Sequence, residues 1–267
     1  MTGAAGTRLE YNPATAGFDT AATFGQDYKF FYETFLTDER NANEVAHLQR
    51  AVGLVPGEAV LDVGCGYGRI SNLLAALGCD VVGLDSSPAL LEFARVAARE
   101  RAVAVEYVVG DMRDLPWRDR FDVLVNWMAA FGYFDDPANQ AVLREFFVSL
   151  KPGGRLALQT FSRDAVLKKW GKYAMVERGD DLAIDRRTFD IATGRMMNHR
   201  TTVRDGVTRR MDFFVRLLSA SEGRQWLEAA GFEFVSALGP DGAPLTQDDV
   251  WMTLVARKPT LSVTTPR

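Results

Sequence analysis

The sequence predicts an α/β fold: a mostly parallel β-sheet with helices on both faces, and a small antiparallel sheet inserted after the fifth strand. Three observations carry this. Strand-length apolar runs alternate with helix-like runs between Ala59 and Phe161, the order of a parallel sheet covered on both sides. A glycine turn, Gly64-Cys65-Gly66-Tyr67-Gly68, joins the first strand to a helix, and the next strand ends in an acid, Asp85. That is the layout of a nucleotide-binding half-fold. From about 165 to 218 the rhythm changes to alternating apolar and polar residues, with Asp205-Gly206 as a hairpin turn.

The elements follow in order. Residues 1 to about 25 are rich in Gly, Ala and Thr and read as a mobile arm whose aromatics, Tyr11, Phe18 and Phe24, suit docking. A helical pattern starts at Tyr28 and continues through Phe31, Phe35, Val45, Leu48 and Val52 until Gly53 and Pro56-Gly57 end it. Strand one is 59–63, a helix spans 68–77 before Gly78, and strand two is 80–84. Ser86-Ser87-Pro88 starts a helix that runs to about Arg101. Strand three is 105–109, strand four 121–126, and a helix runs from Asp136-Pro137 to near Leu150. Lys151-Pro152-Gly153-Gly154 is a turn before strand five, 155–161. Three runs, 173–177, 196–203 and 211–217, form the inserted sheet. A helix at 219–230 and two strands, 232–237 and 250–256, complete the chain.

Composition narrows the function classes. The 267 residues are 47% hydrophobic and 25% charged, with a formal net charge of -4, globular values. There is no basic block to grip nucleic acid, and no apolar run of membrane-spanning length or signal-peptide core. Cys65 and Cys79 are the only cysteines, one in the glycine turn and one at a strand start. A disulfide is not expected, and a reducing cytoplasm fits. Two cysteines and two separated histidines do not make a structural zinc set. Asp135 and Asp136 sit side by side before a proline and read as a helix cap rather than metal ligands.

The glycine turn separates two nucleotide cofactors. A pyrophosphate site prefers G-x-G-x-x-G. This chain has G-x-G-x-G, with Asp62 two residues ahead, where a carboxylate repels a pyrophosphate and suits a cationic amino group. Asp85 stands where an acid accepts hydrogen bonds from a ribose diol. The stretch Asp62-Val63-Gly64-Cys65-Gly66-Tyr67-Gly68 resembles the first motif of the class I S-adenosylmethionine (SAM) methyltransferases, D/E-x-G-x-G-x-G. The resemblance extends over nearly the whole chain after the arm. It implies a Rossmann-like class I methyltransferase sheet, mostly parallel with its last strand antiparallel, and SAM as cofactor.

On that resemblance, Gly110-Asp111-Met112 matches the third cofactor motif, with Asp111 taking the adenine amino group and the Met112 amide a ring nitrogen. Asn126-Trp127-Met128 follows strand four, where family members contact the methionine part of SAM. The cofactor set then reads Asp62, Gly64, Cys65, Gly66, Asp85, Ser86, Asp111, Met112 and Asn126, with Tyr32 and Arg40 from the first helix; Arg40 is matched to the SAM carboxylate. Phe131-Gly132-Tyr133-Phe134, followed by Asp135-Asp136-Pro137 and Asn139, resembles a narrower group that methylates small molecules and includes antibiotic-pathway N-methyltransferases. Phe131 and Tyr133 are therefore expected in the acceptor pocket. Strand four lacks the Asn/Asp-Pro-Pro-Tyr/Phe tetrad after it, which argues against base and protein-glutamine acceptors.

The resemblance implies a chain organised as an arm or lid (1–27), a SAM-binding core (28–164), an inserted lid or oligomerisation sheet (165–218), the C-terminal part of the core (219–258) and a tail (259–267). Two residues are catalytic candidates. His199, in the inserted sheet, is the best single candidate for a general base, because histidine side chains titrate near neutrality; an exposed strand histidine is the alternative reading, and the one favoured. Tyr28 shares a helical face with Tyr32 and presents an aromatic ring to a sulfonium or amine. The expected activity is methyl transfer to an amine or hydroxyl of a small molecule, with a secondary metabolite favoured. A SAM-binding protein without turnover stays open as the alternative, as does a homo-oligomer paired through the sheet edges.

Overall fold

The computed structural model describes residues 18–260. Expectations for Tyr11 and the rest of 1–17, and for the tail from 261 on, lie outside the described residues. The elements are α1 Thr20–Thr23, α2 Gln26–Tyr32, a 3₁₀ turn Glu33–Phe35, α3 Asp38–Val52, β1 Ala59–Val63, α4 Ser71–Ala76, β2 Asp80–Asp85, α5 Pro88–Glu100, β3 Val105–Val109, β4 Phe121–Asn126 and α6 Asp136–Ser149. They continue with β5 Leu150–Phe161, α7 Arg163–Lys168, β6 Tyr173–Arg178, β7 Asp181–Asp190, β8 Arg195–Arg204, β9 Val207–Arg216, α8 Ala220–Ala229, β10 Glu233–Leu238 and β11 Trp251–Arg257.

A seven-stranded sheet runs β10-β11-β5-β4-β1-β2-β3. β1 to β5 are parallel, and β11 enters antiparallel between β5 and β10. Alternation along each strand explains the two apolar layers. Leu61, Val63, Leu124, Leu156 and Leu158 pack toward α6 and α8, meeting Val142, Phe146 and Leu227. Val60, Val123, Val125 and Ala157 face the other way, onto Val45, Leu48 and Val52 of α3 and Leu74 of α4. Asp62 falls in the register of Val60, so it points toward the α3–α4 side and is buried there.

Two elements depart from the sequence reading. The expected single helix from Tyr28 breaks at 33–37, because Thr37 accepts the Arg40 amide through its side chain and starts α3 afresh. The Lys151–Gly154 turn is instead the distorted start of β5: Gly153 takes φ +82° and its amide donates to Lys258 O.

The inserted sheet is a four-stranded antiparallel meander, β6-β7-β8-β9, one strand more than expected. β7 was missed. The meander is tied to the core where Arg216 N donates to Gly132 O at 2.8 Å. Helix α2 and the 3₁₀ turn after it are clamped to it by Arg204–Asp27 at 2.9 Å and Arg178–Glu33 at 2.6 Å. The described end of the segment read as a mobile arm with docking aromatics, from residue 18 to about 25, packs here: Phe18 and Phe24 lie on Tyr133 and Phe213. The edge strand β6 leaves Tyr173 and Met175 exposed.

Candidate active site

The carboxyl ends of β1, β2 and β4, the α1–α2 segment and one face of the inserted sheet enclose a cavity of about 390 Å³. Its floor is the glycine turn. Gly64 and Gly66 both have positive φ, and a Cβ on Gly66 would meet only Leu90, at 3.9 Å. Room for a ligand is thus left over Gly66. Gly64 lacks that room, since its Cβ would lie 2.7 Å from Ala130 Cβ. Gly68, the third glycine, serves packing: a Cβ there would stand 2.2 Å from the Tyr107 hydroxyl, which donates to Asn72 Oδ1 at 2.7 Å.

Three acids predicted from sequence line the cavity. Ser71 Oγ donates to Asp62 Oδ2 at 2.5 Å. Burial pushes the Asp62 carboxyl up to about 6, against the pull of Ser71 and Arg69. A buried acid with no cation on it fits a cationic ligand group. Asp85 accepts from Gly66 N and Ser87 N, both at 2.8 Å, and burial raises it as well. Each of its oxygens retains a lone pair for a ligand hydroxyl. Asp111 is gripped by Arg113, which holds its carboxyl below the usual range. The Arg113 guanidinium lies 4.4 Å from the Phe134 ring centroid.

Cys65, Ser86 and Met112 line the cavity too. Three expected contacts do not. Asn126 is buried below the floor, where its Nδ2 donates to Val63 O at 2.9 Å and ties β4 to β1. Arg40 faces out of the cavity, pairing with Glu44 at 2.8 Å. Restarting α3 at Thr37 turns it away. The arginine that does line the cavity is Arg69, held by Glu44 at 2.5 Å and Asn41 at 2.8 Å. Glu44 also accepts from Trp127 Nε1 at 3.0 Å. Phe131 is 1% exposed and packs in the core near Trp226, so it does not line the cavity. Its neighbour Tyr133 does.

Above the floor the lining is aromatic. Tyr28 and Tyr32 stack with centroids 4.9 Å apart, and Phe24 lies 4.9 Å from Tyr133. Burial pushes the Tyr28 phenol up, against Arg69 on the cofactor side and Arg200 on the sheet side. Tyr32 and Tyr133 shift the same way for the same reason. All three stay protonated at neutral pH. From the inserted sheet, Met196, Asn198 and Arg200 of β8 and Asp185 and Arg187 of β7 face in. Arg200 forms a two-pronged pair with Asp185 at 2.6 and 2.7 Å and donates to Tyr32 Oη at 3.0 Å.

His199 sits between Asn198 and Arg200 and so projects from the opposite face of β8. Its Nδ1 is 2.9 Å from Asp212 Oδ1, and it does not line the cavity. The expectation of a general base there is corrected by strand parity. Met128, in the stretch named from sequence after strand four, and Ala129, which sequence reasoning missed, line the rim in a left-handed conformation with φ of 57° and 55°. Gln159 holds them, through Oε1 to Met128 N at 3.3 Å and O to Ala129 N at 3.0 Å. Such strain in non-glycine residues marks a rim fixed by its surroundings. Asp135 and Asp136 serve α6 and the insertion: Asp135 Oδ1 accepts Ala138 N at 2.8 Å, and Asp136 pairs with Arg195 at 2.7 Å.

Comparisons with known proteins agree with this geometry. Residues 60–154 match the family model described as methyltransferase domain. A ubiquinone biosynthesis O-methyltransferase of Xanthomonas campestris pv. campestris is 40% identical over 111 residues, 41% of this chain and 45% of that protein. The chain thus spans about half the length of the curated relatives it matches. A SAM-dependent methyltransferase from Clostridium acetobutylicum superposes with a TM-score of 0.75 at 14% identity, covering 90% of this chain and 100% of that one. The sugar N-methyltransferase KedS8 from Streptoalloteichus sp. does so with a TM-score of 0.64 at 21% identity, covering 97% and 100%. Residues 60–154 thus match the methyltransferase domain family, the fold is shared with solved methyltransferases, and Asp62, the glycine turn, Asp85 and Asp111 of the matched stretch meet at one cavity.

Proposed function

We propose that the protein methylates a small molecule, at an amine or hydroxyl, in the cavity between the glycine turn and the inserted sheet. One observation supports this reading: the glycine-turn floor and an aromatic upper chamber are continuous in a single cavity. Bound SAM would supply a methyl group already activated on a sulfonium. Asp62 would hold its ammonium, Arg69 its carboxylate, Asp85 its ribose diol, and Asp111 with the Met112 amide its adenine. Tyr28, Tyr32 and Tyr133 would orient the acceptor and keep water from its nucleophilic atom. Holding reactants in line can contribute about 7–11 kcal/mol in favourable cases.

Among the described residues the lining has no histidine, and its tyrosines stay protonated. Asp185, the carboxylate that the inserted sheet brings to the cavity, is taken up by both prongs of Arg200, so a hydroxyl acceptor would lack a free proton acceptor there, whereas an amine needs only to bind in its neutral form. We therefore favour an amine. A small secondary metabolite fits the chamber, in keeping with the Phe131–Asn139 resemblance. The test is incubation with SAM carrying a labelled methyl group and matched amine and alcohol panels, with mass analysis of products. Labelled N-methyl product supports the reading. Labelled ether without any N-methyl product overturns the amine assignment, and SAM binding without transfer to either panel favours a non-catalytic SAM-binding protein.

A further inference from the structure

The inward face of the inserted sheet carries two neighbouring cross-strand pairs. Asp185 stands opposite Arg200, and Arg187 stands opposite Asn198. All four side chains line the cavity. The first pair neutralises itself: Arg200 spends its fork on both Asp185 oxygens, and the pair is buried. The second pair does not, because asparagine carries no charge. Arg187 Nη2 donates to Tyr173 O at 3.3 Å, and its guanidinium lies 5.9 Å from the Trp170 ring centroid. Its Nε is buried without a hydrogen-bond partner.

The other lining cations are all matched. Arg69 has Glu44, Arg113 has Asp111 and Arg200 has Asp185. Among the described residues, Arg187 is the one lining cation with no carboxylate at ion-pair distance. It acts electrostatically on the Tyr32 phenol, which places its charge at the acceptor chamber. A half-buried guanidinium without a counter-ion, beside aromatic rings, is a ready receptor for an oxyanion: the planar fork matches a carboxylate or phosphate.

We propose that Arg187 receives an oxyanionic group on the acceptor, so that the natural acceptor is an aromatic-docking molecule bearing a carboxylate or phosphate. This rests on the small-molecule methyltransferase reading and names its substrate class. Asn198, 3% exposed, is the neutral neighbour that leaves the Arg187 charge available. Arg200 keeps its own charge for Asp185, so removing it would disturb the sheet rather than test the anion.

The test is a calorimetric titration of the whole chain with benzoate, phenyl phosphate and benzamide, with and without S-adenosylhomocysteine. The wild type is expected to take one of the anions at least about tenfold more tightly than benzamide, the scale of a charged hydrogen bond. Benzoate against phenyl phosphate tells carboxylate from phosphate. Arg187→Gln is expected to bind all three alike, and Arg187→Lys to keep part of the preference. A thermal midpoint raised by SAM in both variants shows that they fold. Equal affinities in the wild type, no binding of any probe, or a preference that survives Arg187→Gln overturns the proposal. Absence of SAM binding by the wild type instead removes the methyltransferase reading, whatever the anion result.

Discussion

Ser71 Oγ donates to Asp62 Oδ2 at 2.5 Å, among the described residues the one side-chain hydrogen bond to a carboxylate buried to 2% exposure at the floor of the cavity. That bond does not offset desolvation, and the carboxyl is raised from 3.8 to about 6. A ligand ammonium would favour the ionised form. SAM affinity is therefore expected to be level above about pH 7 and to fall by up to about tenfold per pH unit below 6. Calorimetry across pH checks this, with Asp62→Asn expected to lose both the affinity and its pH dependence.

The same group sets a stability trend of opposite sign. In the ligand-free protein the folded-state value lies above the open-chain value, so the folded state holds a proton that the unfolded chain releases. The associated stability is full below about 3.8 and is lost as pH rises through about 6. At pH 8, Asp62→Asn is expected to stabilise the ligand-free protein by up to about 3 kcal/mol while abolishing SAM binding. Denaturant unfolding with and without SAM reads both effects.

The glycines separate by role. Gly66→Ala carries the cost of a side chain at positive φ, which Gly68→Ala shares, but meets no close atom, and its further effect is expected to be weaker SAM binding. Gly68→Ala drives a methyl into the Tyr107 hydroxyl and is expected to cost about 1–3 kcal/mol of stability. Tyr107→Phe in the Gly68→Ala background should recover part of that loss. Equal stability losses for Gly66→Ala and Gly68→Ala would contradict the division.

Glu44 joins Arg69, Arg40 and Trp127. Burial works to raise its carboxyl, but Arg69 and Arg40 overcome this and hold it below the ordinary value. Glu44→Gln is expected to loosen Arg69 and weaken SAM binding by about tenfold, near the worth of a charge-assisted hydrogen bond. Arg40→Ala should have the smaller effect, although sequence alone pointed to Arg40 for the SAM carboxylate. Paired SAM titrations decide it.

His199→Gln is expected to leave turnover within about twofold, as for a substitution away from buried features. Its ring lies on the face of β8 turned from the cavity. A loss of a hundredfold or more in kcat, with folding intact, would restore His199 as a proton acceptor.

The cofactor floor was legible because its signal is local. Asp62, the glycines and Asp85 lie within one strand-turn-helix-strand unit, and each residue type answers a need of the backbone or the ligand. The acceptor side was not legible. β7 hides because its inward residues include Asp185 and Arg187, so a cavity-facing strand shows no apolar alternation. His199 was misjudged by a single residue of parity, since no sequence signal says which face of β8 meets the cavity. Arg40 was misplaced because the helix break at Thr37, a capping event, re-aims the chain. Phe131 and Tyr133 share a short motif, yet one is core and the other lines the cavity.

The most direct measurement of the central claim is calorimetric titration of the purified chain at pH 7.5 with SAM, S-adenosylhomocysteine and NAD, for the wild type and Asp85→Ala. The account predicts that SAM and its demethylated product bind and NAD does not, and that Asp85→Ala weakens both by the loss of the ribose contact. Binding of NAD alone, or SAM affinity unchanged by Asp85→Ala, would contradict it.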